Sequence, residues 1–314
     1  MMIQPIFGTV AVGVTAFLSV CTVIGATLAW RVETVAARET VANLNARIRS
    51  WWGIVAVFGG AVVLGPIVTL VLFAILSFLS LREFVSLMPT RRGDHCTLFL
   101  ALFFVVPLQY WLIGIGWYGL FSIFIPVCVF LVLPALSAVM GDTNDFLARN
   151  SRLLWGLMLT VYAMSYAPAL LLLNLPGYAL PNALLLLYLT VVVQISDVFQ
   201  YVFGKLFGRT KLSLAVSPSK TVEGLVGGGL AAILIGAALF GITPFSPLQS
   251  AVMSMIIVIG GFFGGFVLSA IKRDLGVKDW GRMIEGHGGI LDRMDSVSFA
   301  APLFFHLTRY YFAT

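Results

Sequence analysis

Apolar residues dominate the chain in long runs, which are separated by short segments containing glycine, proline or charged residues. A helix needs about 20 apolar residues to cross the hydrocarbon core of a bilayer. The pattern therefore predicts an all-α, polytopic integral membrane protein with about ten transmembrane helices. The predicted spans lie near residues 5–30, 51–65, 66–82, 97–114, 118–140, 153–173, 182–204, 224–243, 248–270 and 297–312.

One of these runs leaves two interpretations open. Residues 51–82 form one apolar stretch interrupted around "GGAVVLGP" (59–66), so they predict either two short spans or one long, tilted helix, which would make nine in total. We expect a single membrane domain over 1–314, with architectural spans in 1–175 and a catalytic-type region in 182–314. The amino-terminal run lacks a basic region and is too long for a signal-peptide core, so it is expected to remain as the first span.

The composition excludes a soluble domain. The mean hydropathy is +1.02, with 60% hydrophobic and only 10% charged residues, a balance for which polar groups could not cover the surface. The three cysteines, Cys21, Cys96 and Cys128, show no metal-binding or disulfide spacing, and we interpret them as apolar filler. The absence of a basic soluble domain excludes nucleic acid as a partner.

The positive charges predict the orientation. All of the 19 Lys and Arg residues except Arg309 lie in alternate connections, near 31–50, 82–96, 141–152, 205–223 and 271–296. The positive-inside rule makes these connections cytoplasmic. We therefore expect a multi-pass protein of a bacterial inner membrane in contact with membrane lipids, with its charged loops in the cytoplasm.

The connection near 271–296 is unusual because it also carries acids. Ten of the 32 charged residues lie between Lys272 and Asp295. Basic side chains can hold phosphates and carboxylates can hold a divalent cation. Asp292 and Asp295 are three residues apart, so on a helix they share one face and can address one ion. This mixture predicts a binding site; the alternative is a solvated loop of mutually neutralising charges.

A second segment, 196–224, also carries candidate chemistry. Asp197 follows an apolar run, where an ionisable residue is costly and is a functional candidate, unless it is simply hydrated at the interface. The stretch "SPSKTVEG" (217–224) precedes a glycine-rich run and is consistent with a helix start that is capped by Ser or Thr and favours phosphate. Taken alone, this capping pattern is common.

Together, the two segments resemble the CDP-diacylglycerol synthases, also called phosphatidate cytidylyltransferases. The longer family signature is met by Ser269, Ile271, Lys272, Arg273, Lys278, Asp279, Gly281, His287, Gly288, Gly289, Ile290, Asp292, Arg293, Met294 and Asp295. The upstream pattern is met by Asp197, Tyr201, Gly204, Phe207, Gly208, Arg209, Ser217, Pro218, Lys220, Thr221, Glu223 and Gly224. The resemblance is strong over about 196–300.

The resemblance implies that CTP and phosphatidic acid react to give CDP-diacylglycerol and pyrophosphate with Mg²⁺, and leaves a second cation and a homodimer as open alternatives. Such a transfer needs charge neutralisation, in-line positioning and metal ions. The catalytic candidates are Asp197, Lys220, Lys272, Asp292 and Asp295. The substrate-binding candidates are Ser217, Thr221, Glu223, Ser269, Arg273, Lys278, Asp279, His287, Gly288, Gly289 and Arg293. The metal ligands are expected to be Asp292 and Asp295, with Asp197 or Glu285 as further alternatives.

The sequence departs from the family pattern where a metal ligand is expected. Members usually carry an aspartate four residues before the signature serine, and this chain has Gly265 there. Restoring the carboxylate by Gly265→Asp is expected to raise Mg²⁺-dependent turnover, unless Glu285 already replaces it. Two rival functions stay open: a non-catalytic or altered-substrate paralogue that binds nucleotide or lipid, and a transporter, although no inverted repeat is visible.

Overall fold

The computed structural model describes residues 3–32, 34–286 and 288–313. Within these ranges the chain forms ten long helices and one β-hairpin. The helices are α1 (Ile3–Arg31), α2 (Val35–Leu64), α3 (Pro66–Ser86), α4 (Arg92–Gly114), α5 (Tyr118–Val139), α6 (Phe146–Leu172), α7 (Ala183–Phe207), α8 (Gly224–Ile242), α9 (Pro247–Asp274) and α10 (Leu291–Phe312). The hairpin joins β1 (Lys211–Ser213) and β2 (Ser217–Thr221), between α7 and α8.

Nine of the helices in the described part of the chain are long and apolar enough to cross a membrane. The tenth, α10, falls outside this group and begins with a run that contains three charged residues, Asp292, Arg293 and Asp295. The prediction of an all-α, polytopic membrane protein is therefore confirmed.

The apolar run 51–82 is divided between two helices. Gly65 has a φ of 113°, a conformation that glycine adopts without steric cost, and Pro66 begins α3. The single-helix alternative is thus wrong. The second predicted span also began too late, because α2 starts at Val35 and continues through the charged connection that the sequence placed at 31–50.

The site is positioned by glycines that allow helices to approach closely. A Cβ at Gly264 of α9 would collide with the backbone oxygen of Asp295 in α10, and one at Gly260 would lie 3.2 Å from the Cα of Ala300. A Cβ at Gly228 of α8 would similarly collide with the backbone of Gln200 in α7. Small residues at such crossings allow direct backbone packing, which brings the carboxyl-terminal halves of α7 and α9 together with the amino-terminal halves of α8 and α10.

Candidate active site

Two carboxylates from distant parts of the sequence meet between α7 and α10. The Ser296 hydroxyl donates to the two carboxylate oxygens of Asp197, at 3.0 and 3.2 Å. The Ser296 amide donates to Asp295 Oδ1 at 2.8 Å. Asp197 and Asp295 interact electrostatically, and Arg293 lies close enough to act on both. The Asp197 side chain is exposed, so a ligand can reach the pair.

Lys220 reaches this pair from the hairpin. Its Nζ lies 3.1 Å from the position of a Cβ at Gly265, and Asp295 Oδ2 lies 3.5 Å from the same point. The ammonium donates to the Phe262 carbonyl oxygen at 3.3 Å and lies 4.6 Å from the centre of the Phe262 ring. Burial lowers the pKa of Lys220, although Asp197 and Asp295 act in the opposite direction. The two signature segments therefore form one site.

Asp292 and Lys272 form a buried ion pair that holds the connection between α9 and α10. Lys272 Nζ lies 2.7 Å from Asp292 Oδ1, and both side chains are largely inaccessible. The other oxygen, Asp292 Oδ2, accepts from the amides of Trp280 and Gly289 at 2.8 and 2.9 Å. The metal-binding role of Asp292 and the catalytic role of Lys272 stay predictions, and the geometry gives both a positioning role.

Glu83, at the end of α3, is a residue of the site that the sequence did not identify. Its carboxylate is buried and accepts from the amides of Ile290 and Leu291, each at 3.0 Å, at the start of α10. An anionic group at a helix N-terminus satisfies amides that have no partner within the helix. The available signal was a lone acid near the end of an apolar span, in the stretch "LREF" (81–84).

The glycines of "GHGG" serve these carboxylates. Gly286 and Gly288 have φ values of 73° and 84°, which favour glycine. A Cβ at Gly288 would lie 2.8 Å from Asp292 Oδ2, and one at Gly289 would collide with Glu83. Protein carboxylates thus occupy the space beside this glycine backbone. His287 lies outside the described residues.

Three candidate residues in and beside the hairpin, Ser217, Thr221 and Glu223, are hydrogen-bonded within the protein or buried. Thr221 Oγ1 accepts from the Gly224 amide at 3.0 Å, at the first residue of α8. The Glu223 carboxylate accepts from the amides of Arg209 and Thr210, at 3.1 and 3.0 Å. Bonds from its own amide and from Thr210 lower the pKa of Glu223 to about 2. The side chain of Ser217 is buried.

The remaining candidates lie at the edge of the site. Ser269 Oγ donates to the Gly265 carbonyl oxygen at 2.6 Å. Arg273 donates to the carbonyl oxygens of Val216 and Val277, at 3.4 and 3.1 Å, and so ties the hairpin to the end of α9. Lys278, Asp279 and Arg293 are exposed. Their roles in substrate binding stay predictions.

Glu285 is not brought to the Asp197–Asp295 pair. Its exposed carboxylate pairs with Arg49 of α2 at 3.4 Å, and its carbonyl oxygen accepts from Ser50 Oγ at 2.8 Å. The geometry therefore gives no support to Glu285 as a substitute metal ligand.

A magnesium ion held by Asp197 and Asp295 would need waters and substrate phosphates to complete its coordination. No group of three or more His, Cys, Asp and Glu side chains placed to hold a metal occurs among the described residues. Mg²⁺ is usually held by one or two carboxylates, with waters and substrate phosphates completing its six oxygens. Asp197 and Asp295 meet this requirement.

Comparison with known proteins gives a family and several relatives. A model described as the cytidylyltransferase family matches residues 45–311. YnbB of Escherichia coli (strain K12), an uncharacterized protein, is 42% identical over 301 residues, which cover 94% of this chain and 96% of YnbB. The phosphatidate cytidylyltransferase of Staphylococcus haemolyticus is 40% identical over 120 residues, 38% of this chain and 46% of that protein. That of Aquifex aeolicus is 38% identical over 141 residues, 45% and 53% of the respective chains. The matches to these two enzymes therefore span about half of their length.

Proposed function

Because this chain belongs to the cytidylyltransferase family, we propose that it is a phosphatidate cytidylyltransferase. It transfers the cytidylyl group of CTP to phosphatidic acid, giving CDP-diacylglycerol and pyrophosphate, with Mg²⁺ as cofactor. The observation that carries the proposal is that Lys220 and Asp295 meet beside Gly265, with Asp197 hydrogen-bonded to Ser296 at the same point. The partial matches to two phosphatidate cytidylyltransferases support the choice of substrates.

The reaction is a displacement at phosphorus. A phosphate oxygen of phosphatidic acid bonds to the α-phosphorus of CTP, the bond from that phosphorus to the bridging oxygen breaks, and pyrophosphate leaves with the electron pair. No covalent enzyme intermediate is needed. The phosphate nucleophile is already deprotonated near neutral pH, so His287 is assigned a hydrogen bond to a phosphate rather than proton transfer.

Each group of the site has a part in this displacement. Lys220 and Arg293 neutralise phosphate charge, and Asp197 and Asp295 would hold Mg²⁺. When bound, the ion neutralises phosphate oxygens and fixes their geometry. Glu83, Lys272 and Asp292 hold the connection that leads into α10, so that Asp295 keeps its position relative to Asp197.

We place the reaction at the cytoplasmic face of a bacterial inner membrane. The partition of Lys and Arg supports this orientation. The lipid substrate lies in the same membrane as the helices, and Asp197 lies within the span α7 and is exposed.

A second candidate is a paralogue that binds CTP or phosphatidic acid without transferring the cytidylyl group. Gly265 favours it, because the site lacks a carboxylate at that position, and the full-length relative YnbB is an uncharacterized protein. A transporter is a weaker third candidate, since no inverted repeat is visible in the sequence.

The deciding measurement is CTP-dependent formation of CDP-diacylglycerol by the purified protein with Mg²⁺. Asp295→Asn should lower the rate by about 100-fold or more, because it removes half of the carboxylate pair. Asp274→Asn is the matched control: this aspartate is exposed at the end of α9, and the rate should stay near that of the parent. Binding of CTP or phosphatidic acid without product would establish the paralogue. Movement of a labelled lipid without CTP consumption would establish the transporter.

A further inference from the structure

The ammonium group of Lys220 occupies the space beside α9 that a side chain at position 265 would fill. A Cβ at Gly265 would lie 3.1 Å from Lys220 Nζ, closer than Cβ atoms normally approach such a neighbour, and 3.6 Å from Ser296 Oγ. A longer side chain would extend further into the same space. Glycine at residue 265 therefore leaves this space to the Lys220 ammonium.

The position of Lys220 is also fixed by favourable contacts. The carbonyl oxygen of Phe262 accepts from the ammonium at 3.3 Å, and the Phe262 ring lies 4.6 Å away. An aromatic face and a carbonyl oxygen are both suited to a partly desolvated cation. Phe262 is itself buried and stacks on Phe266 at 5.8 Å between ring centres, so the surface that holds Lys220 is rigid.

Basic side chains act on the carboxylate pair before any ion binds. Lys220 and Arg293 each interact electrostatically with Asp197 and Asp295. The third acid of the segment, Asp292, is already paired with Lys272. An additional carboxylate at position 265 would add negative charge beside Lys220, which a second cation would offset.

We propose that Lys220 is a built-in counter-ion of the Asp197–Asp295 pair, so that this site takes one divalent cation and needs no second one. The proposal rests on the proposed function for the identity of the cation. It gives Lys220 a role that precedes substrate binding, because its ammonium is in place beside the carboxylates before any phosphate arrives.

The test counts metal ions on the full-length protein in the absence of CTP and lipid. Mn²⁺ serves as the probe, and the free ion is measured by electron paramagnetic resonance. The parent should bind one Mn²⁺ per chain, and Asp295→Asn should lose it. Lys220→Met keeps the aliphatic stem over Phe262 and removes the positive charge, so Mn²⁺ should bind about 10-fold more tightly or better. Lys211→Met, in the exposed part of the same hairpin, is the matched control and should bind Mn²⁺ as the parent does.

Two results would overturn the proposal: a second Mn²⁺ bound by the parent at the same site, or an unchanged Mn²⁺ affinity in Lys220→Met. A lysine that serves only to bind the phosphates of CTP would give the second result. Because neither measurement uses turnover, the outcome is independent of whether the protein forms CDP-diacylglycerol.

One further variant covers the case in which Lys220→Met does not fold. Gly265→Asp places a carboxylate against the ammonium, and the two should pair. Because Lys220 is present, the new carboxylate should raise the Mn²⁺ affinity only slightly. The Gly265→Asp variant should therefore bind one Mn²⁺ per chain, as the parent does. A second tightly bound Mn²⁺ in Gly265→Asp would show that the ammonium does not occupy the cation position, and would also restore the turnover gain expected from the sequence.

Discussion

Charged side chains near the carboxylate pair fall into two groups that differ in what they contact. Glu83 and Asp292 have both oxygens occupied by protein donors, and Lys272 is committed to Asp292. Asp197 and Asp295 retain accessible surface, accept hydrogen bonds from Ser296, and interact with the Lys220 ammonium from beyond ion-pair contact. The first group positions the chain, and the second group is left to act on a ligand.

Glu83 is expected to position the site from the amino-terminal half of the protein. In Glu83→Gln, one of the two amides at the start of α10 faces an NH₂ group in place of an acceptor. A buried donor left without a partner costs about 1–3 kcal/mol. Thermal unfolding in detergent should shift to lower temperature, and the rate of CDP-diacylglycerol formation should fall by about tenfold or more.

The control for this prediction is Glu39→Gln, which makes the same chemical change at an exposed position of α2. It should leave both quantities unchanged. A Glu83→Gln protein that unfolds at the parent temperature and retains the parent rate would show that α3 does not position the site.

For single residues, the sequence predicts which side chains are functional candidates better than it predicts which residues they contact. Mixed charge density identified Asp295, the position of an acid after an apolar run identified Asp197, and the family resemblance identified Lys220. The structure brings these three residues together. The pairing of Glu285 with Arg49 joins residues 236 positions apart, and no local pattern indicates it. Glu83 was missed because an acid near the end of a span has the same pattern whether it is hydrated at the interface or buried against a loop.

Among the helices, glycine decides where the site forms. Gly260, Gly261 and Gly264 of α9 all face α10, and a Cβ at each would lie within 3.4 Å of an atom of that helix. Adjacent Gly265 faces Lys220 and Asp295 on the same helix surface. The stretch "GGFFGG" thus sets the separation of α9 and α10 and, with it, the distance from Lys220 to the carboxylates.

Gly264→Ala should therefore disturb the site without altering any charged residue. Its new methyl group would overlap the carbonyl oxygen of Asp295, which is backbone and cannot rotate away. Overpacking of this kind costs about 1–3 kcal/mol, and we expect a lower unfolding temperature together with weaker Mn²⁺ binding. Gly241→Ala is the control, because no atom lies within 4 Å of the added Cβ there. Equal behaviour of the two variants would mean that the α9–α10 separation does not matter for the site.

Over the whole molecule, hydropathy predicts where the chain crosses the membrane but not where each helix begins. The amino-terminal half of α2 escaped prediction because it is amphipathic: Val41, Ala46 and Ile48 are buried while Arg47 and Arg49 are exposed. The hairpin escaped for a different reason, since strands as short as Lys211–Ser213 depend on contacts with α7 and α8 rather than on local pattern.

The orientation of the whole protein is the last prediction. Two exposed positions in the charged connections, Arg209 and Arg282, should face the cytoplasm, whereas Trp117 and Tyr310, at 57% and 79% exposed, should face the other side. Single cysteines at these positions, in a version without Cys21, Cys96 and Cys128, can be treated with a membrane-impermeant maleimide. Arg149 is unsuitable because it is buried against Asp94 and Asp142.

In intact cells Trp117→Cys and Tyr310→Cys should be labelled. Arg209→Cys and Arg282→Cys should be labelled only after permeabilisation, because 18 of 19 basic residues follow the positive-inside rule. Labelling of Arg209→Cys or Arg282→Cys from outside intact cells would reverse the orientation and place the site away from the cytoplasm.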